Sequence, residues 1–193
     1  LCVATLVAYI PLPVLAEVAD TTVVTVTTAN GVTTEYPTLA AAIEAANAGT
    51  GSTVTMYQNV KVSERFEISG TNITLDLNGM TIESDYGNDI LYVKENASLT
   101  IEDNIGGGEM VSTANVSVIY NEGSLVIDGG TIKNTYSLSE ISSSGIVNEG
   151  TLTVNDGKIS ANNSGVGVIG GIATINGGEI YSNMAVSVAP AMP

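Results

Sequence analysis

Histidine and tryptophan are absent from the 193 residues, Arg65 is the only arginine, and Cys2 is the only cysteine. Each absence excludes something. Without histidine the chain lacks the side chain that most often moves protons near neutral pH and most often ligates transition metals. With a single cysteine no disulfide forms within the chain, so stability rests on packing and backbone hydrogen bonding. Five basic residues against 20 acidic ones give a net charge of −15. Such a surface repels nucleic acid and anionic membranes, whose binding depends on basic residues displacing counterions. Neither is an expected partner.

Long apolar runs are also missing, apart from the first 16 residues. Leu1 to Ala16 carries no charge and ends Val14-Leu-Ala16 before Glu17, the late part and small-residue cleavage site of a secretory signal whose basic start is missing. Pro11 and Pro13 interrupt the run, and it is too short to span a bilayer. The expectation is a secreted protein, with no membrane insertion of the mature chain. What remains is enough for one domain, and its abundance of Thr, Ser, Asn, Gly and β-branched apolar residues fits an all-β fold.

What is present is a repeat. Gly145-Ile-Val-Asn-Glu-Gly-Thr-Leu-Thr-Val-Asn-Asp-Gly-Lys-Ile159 is echoed by Ala173-Thr-Ile-Asn-Gly-Gly-Glu-Ile180, by Leu125-Val-Ile-Asp-Gly-Gly-Thr-Ile132 and by Leu75-Asp-Leu-Asn-Gly-Met-Thr-Ile82. From Met56 through Leu77, Ile101, Ile127 and Val154 to Ile175 the steps are 21, 24, 26, 27 and 21 residues. Periods of this size mark a solenoid. In each copy the apolar residues alternate with Thr or Asp, which puts them on one face of a strand, and Asn, Asp and Gly then bend the chain. The predicted fold is all-β: a single-stranded right-handed parallel β-helix of about six coils, each read as strand, turn, strand and loop.

Residues 17–52 read as an N-terminal hairpin, turning at Asn30-Gly31, and a short capping helix with Thr38 as its cap and Leu39, Ala42, Ile43 and Ala46 on one face. Coils occupy 53–193. Stacking them places Leu75, Leu99, Leu125, Leu152 and Ala173 in one internal column, Leu77, Ile101, Ile127, Val154 and Ile175 in another, and Asn78, Glu102, Asp128, Asn155 and Asn176 at the turn. Outside, two columns predict a flat hydroxyl-bearing face: Thr53, Thr74, Ser98, Ser124, Thr151 and Ile172, with Thr55, Asp76, Thr100, Val126, Thr153 and Thr174 beside them. Met184 to Val188 reads as the start of a seventh coil, and a chain that begins without Met and stops there reads as a piece of a longer protein.

The Thr-Leu-x-x-Ala-Ile-x-x-Ala helix (Thr38 to Ala46) followed by Gly-x-Leu-x-Ile-x-x-Gly-x-Ile coils resembles the pectin-lyase-like right-handed β-helix, and within it the repeat regions of bacterial surface and adhesin-type proteins. That resemblance implies a bacterial secreted or cell-surface location and opens the question of carbohydrate chemistry. The family's enzymes carry Asp-Asp, Gly-His-Gly or Arg-x-Lys signatures, or calcium-binding carboxylate clusters with a basic partner; this chain has no histidine, no Asp-Asp and no Arg-x-Lys.

General acid/base chemistry needs only two placed carboxylates, and the candidates are Asp76, on the outward face of a strand, and Asp103, at the mouth of the longest turn. Glu83, Asp85, Asn88 and Asp89 crowd one loop and could hold calcium through oxygen ligands, the one cofactor suggested, although their spacing matches no established calcium loop. Tyr92, Tyr120 and Tyr136 are the candidate binding residues, since sugar sites use aromatic faces; inserts at Ile105 to Gly108 and Tyr136 to Ser144 project loops where solenoids place recognition. The expectation is a non-catalytic stalk or binding module for polysaccharide or host glycan, attached to further coils or anchor domains. The alternative is a lyase or glycoside hydrolase whose site lies partly beyond these residues.

Overall fold

The alternation of Val and Thr after residue 21 forms a hairpin of β1 (Val24–Thr27) and β2 (Thr33–Tyr36), with Gly31 at φ 83° in the turn. The computed structural model describes residues 22–137, 143–182 and 184–188. Residues 1–16, read above as a signal remnant, and most of the Tyr136 to Ser144 insert fall outside the described residues. Helix α1 (Leu39–Asn47) begins where the Thr38 side chain accepts the amide of Ala41 at 3.2 Å. Its buried residues are Leu39, Ala42, Ile43 and Ala46, the apolar face read from the sequence.

Six coils follow, each of three short strands. The first holds β3 (Thr53–Met56), β4 (Val60–Val62) and β5 (Phe66–Ile68); the second β6 (Ile73–Asp76), β7 (Thr81–Ser84) and β8 (Leu91–Val93); the third β9 (Ser98–Glu102), β10 (Glu109–Ser112) and β11 (Ile119–Asn121). The fourth holds β12 (Ser124–Ile127), β13 (Thr131–Asn134) and β14 (Ser144–Asn148); the fifth β15 (Thr151–Val154), β16 (Lys158–Ser160) and β17 (Ser164–Val168); the sixth β18 (Ile172–Ile175), β19 (Glu179–Tyr181) and β20 (Met184–Val188). First strands form an eight-stranded sheet with β1 and β2, in the order β18-β15-β12-β9-β6-β3-β1-β2, and second and third strands form sheets of six. Coil-to-coil pairing is parallel throughout, as in β12 against β9 and β15. The chain is a right-handed parallel β-solenoid of about five turns from first coil to last.

Three expectations change. The segment read as loop contributes a third strand to every coil, because its apolar residues, such as Leu91 and Val93 or Ile119, also point inward and are buried. Met184–Val188 is the third strand of the sixth coil, paired with β17, and not the start of a seventh. The register between the second and third coils slips by two: Ile73 faces Leu99, Leu75 faces Ile101 and Asp76 faces Glu102. A two-residue slip leaves every inward residue inward, so the apolar pattern cannot detect it.

The slip also remakes the outer face of the eight-stranded sheet. One rank now runs Thr33, Thr27, Thr53, Thr74, Thr100, Val126, Thr153, Thr174. From the third coil onward the predicted columns hold, with Leu99, Leu125 and Leu152 in one and Ile101, Ile127 and Val154 in the next.

The corners are built from glycine and asparagine. Gly123, Gly150 and Gly171 stack so closely that a Cβ on Gly150 would lie 2.1 Å from the Gly123 carbonyl, and one on Gly171 the same distance from that of Gly150. Beside them two fully buried asparagines stack: Asn121 Nδ2 donates to Asn148 Oδ1 at 2.6 Å and to the Thr151 carbonyl at 3.1 Å. At the other corner Asn176 donates to Asn155 and Asn155 to Asp128, both at 2.7 Å, which is the later part of the predicted turn column; the slip sets Asp76 rather than Asn78 opposite Glu102. Helix α1 and β1 cover the core at the first coil, burying Val24 and Val26 against it.

Candidate functional site

Both acid/base candidates serve the turns. Asp76 is buried at the end of β6, where alternation alone would put it on the open outer face. One of its carboxylate oxygens accepts the amides of Asn78 and Asn104 at 2.9 and 3.2 Å, and the other accepts Asn104 Nδ2 at 3.0 Å. Asp103 accepts the amide of Gly79 from the neighbouring coil and that of Gly108 from its own turn, both at 2.7 Å. Each carboxylate closes a tight loop, and both oxygens of each already accept a hydrogen bond. The acidic loop is also dispersed. Asp85 pairs with Lys61 at 2.7 Å on the surface, Glu83 stands beside Lys61 in the sheet, and Asp89 is buried toward Ser117. Among the described residues no three His, Cys, Asp or Glu side chains converge as a metal site.

Two of the three tyrosines come together. On the outer face of the third-strand sheet one column reads Glu67, Tyr92, Tyr120, Val147, Gly167, Ser187. The rings of Tyr92 and Tyr120 meet edge to face, centroids 5.8 Å apart at 67°. The guanidinium of Arg65 lies 4.7 Å from the Tyr92 ring centre, a cation–π contact. The Tyr92 hydroxyl donates to Glu122 and the Tyr120 hydroxyl to Glu149. These carboxylates come from the repeated Asn-Glu-Gly corners, so each ring is tied to the next coil. The bond to Glu122 raises the Tyr92 pKa above its ordinary value; burial, then the bond to Glu149, raises that of Tyr120 further. Both phenols stay neutral donors across the physiological range.

Beyond Tyr120 the column shrinks to Val, Gly and Ser, which leaves a depression in the face. A groove of about 550 Å³ occupies it, lined by Tyr120, Val147, Gly167 and Ser187 on its floor and by Asp89, Asn115 and Ser117 from the corner loops. Its lining is mostly amide, hydroxyl and small apolar. Asn115 Oδ1 is shielded from solvent and has no hydrogen-bond partner among the described residues; a shielded acceptor of this kind calls for a donor. Asp89 receives the Ser117 hydroxyl and lies 4.0 Å from Arg65. Burial is the strongest influence on it and pushes its pKa up, against the opposing pull of Ser117 and Arg65.

Tyr136 lies apart, beyond the end of β13, with its amide bonded to Asn134 Oδ1 at 2.9 Å, and does not line the groove. Sequence reasoning missed Arg65, Asn115, Glu122 and Glu149. The signal was there for two of them, because Tyr92 and Tyr120 lie 28 residues apart and Glu122 and Glu149 lie 27 apart, each about one coil.

Together the fold and the face define a parallel β-solenoid carrying an aromatic-edged surface groove. No protein-family model, curated protein or solved structure matches the chain.

Proposed function

We propose that this chain is a non-catalytic recognition segment of a secreted or cell-surface bacterial protein, of the pectin-lyase-like, adhesin-type kind, and that the groove beside Tyr120 binds a glycan. The observation that carries the reading is the register of Tyr92 and Tyr120 on one face beside a groove lined by amides and hydroxyls. A pyranose offers an apolar ring face and a rim of hydroxyls; an aromatic side chain covers the first and Asn115, Ser117 and Ser187 meet the second. The acidic chain favours a neutral sugar over an anionic one. Secretion is supported by the apolar start ending in Val14-Leu-Ala16.

The test is binding of the purified chain to a glycan array, then calorimetry on the strongest ligand. Tyr120→Ala is expected to weaken binding at least about tenfold, the loss of one buried aromatic contact, while Tyr136→Ala leaves it unchanged. Equal effects of the two substitutions refute the groove. Cleavage of the bound polysaccharide, abolished by Asp76→Ala or Asp103→Ala in a protein that still folds, favours the carbohydrate-active enzyme instead.

A further inference from the structure

Three of the five basic side chains are neutralised within the fold: Lys61 by Asp85, and Arg65 and Lys94 by Glu67. Lys133 and Lys158 make no ion pair among the described residues. Both stand on the outer face of the second-strand sheet, beside one hollow. The column there runs Val111, Lys133, Ser160, Tyr181, so a small residue of the fifth coil lies between long ones of the fourth and sixth. The hollow has a volume of about 410 Å³, and Lys133, Thr135, Ser160, Tyr181 and Ser182 line it; no described carboxylate does. The Lys158 ammonium lies 4.7 Å from the centre of the Tyr181 ring, a cation–π contact that keeps a second charge beside the hollow. Glu179, in register with Lys158, is engaged by the Tyr181 hydroxyl.

We propose that this hollow binds a sugar carrying a singly charged tetrahedral oxyanion, a sulfate ester or a phosphodiester. Charge selects an anion, because the two unpaired cations of an otherwise acidic chain meet here. At physiological salt, exposed charges further off than about 8 Å are largely screened, so these lysines, rather than the net −15, set the local potential. The net charge still disfavours a doubly charged phosphate monoester. The donors select the shape. Lys133 is a point charge with three protons to give; the Ser160 hydroxyl has no partner among the described residues; the Ser182 hydroxyl accepts the Gly165 amide at 2.9 Å and keeps its own proton. They come from three successive coils and suit oxygens set around a tetrahedron. A planar carboxylate is matched instead by the fork of an arginine, and the only arginine, Arg65, is in the first coil. Tyr181 supplies an aromatic surface for the apolar face of the sugar ring. The inference does not depend on the Tyr120 groove, whose lining has no lysine.

Calorimetric titration of the full chain with glucose 6-sulfate, glycerophosphoglycerol, glucuronate and glucose tests it. One or both esters are expected to bind, with an affinity that falls as salt rises, and the tighter of the two tells a sulfated glycan from a phosphodiester polymer. Lys133→Gln is expected to weaken binding at least about tenfold. Lys61→Gln, on the same sheet but at a lysine already paired with Asp85, and Tyr120→Ala are expected to leave it unchanged. Ser160→Leu fills the hollow without altering charge and is expected to abolish binding in a protein whose circular dichroism is that of the wild type. Failure of both esters to bind, equal binding of glucose or glucuronate, or indifference to both Lys133→Gln and Ser160→Leu overturns the proposal.

Discussion

Ile127 and Ile175 occupy the same internal column two coils apart, Ile127 fully buried and Ile175 42% exposed, which turns one substitution into a measurement of the stack. Replacing isoleucine by alanine removes three carbons, worth about 0.8 kcal/mol each when fully buried, or about 2.4 kcal/mol. At Ile127 coils close above and below, the site cannot collapse, and the cavity brings the cost to about 3–4 kcal/mol. At Ile175 the burial lost is little more than half as great and the space opens to solvent, so the cost is about 1–1.5 kcal/mol. Urea unfolding followed by circular dichroism reads both values. Equal costs at the two positions would refute the stacked, one-end-covered architecture, and so would a larger cost at Ile175.

Gly150→Ala sets a methyl group 2.1 Å from the Gly123 carbonyl. The corner must open, and the expected cost is about 1–3 kcal/mol in the same urea assay, against near zero for Gly87→Ala, where no atom lies within 4 Å of the added carbon. Asp89→Asn tests the buried carboxyl. A raised folded pKa means that protonation favours the fold, so Asp89 becomes a liability as pH rises through its folded pKa and is neutral in effect below the unfolded one. The asparagine variant is expected to melt higher than the wild type at pH 7 and at the same temperature below about pH 4, near the ordinary aspartate value; a variant less stable at pH 7 contradicts the assignment.

How much could be read from the chain depended on whether period two sufficed. The inward strand residues follow from alternation, the helix face at Leu39, Ala42, Ile43 and Ala46 from the 3.6-residue period, and the turn ladder of Asp128, Asn155 and Asn176 from recurrence once per coil, because in each case one residue type recurs at the place where only that type fits. The third strand was illegible because it is short and follows inserts of unequal length, so its recurrence is masked by the varying period. Register between the second and third coils was illegible because Ile73, Leu75 and Leu77 satisfy the core equally well in either alignment; what decides it is Asp76 reaching Asn104 across the corner, an interaction between coils that a single copy of the repeat does not contain.

That same distinction bears on function. The core of a solenoid constrains alternate residues and leaves the intervening ones free, so three outer faces can diverge on one unchanged interior. Here they have. The eight-stranded sheet shows a rank of threonines interrupted only by Val126. The second-strand sheet sets Lys61, Glu83, Val111 and Lys133 in a mixed charged line. On the third-strand sheet the column shrinks from Tyr92 and Tyr120 to Val147 and Gly167, and a change of size on a regular face is what makes a concavity. The turn carboxylates Asp76 and Asp103 attracted notice because they are acidic and lie at loops, yet a corner must satisfy the backbone amides it exposes, and those two residues do so. Chemistry on this scaffold is therefore to be sought where an outward column departs from its own repeat, as it does at the Tyr120 groove.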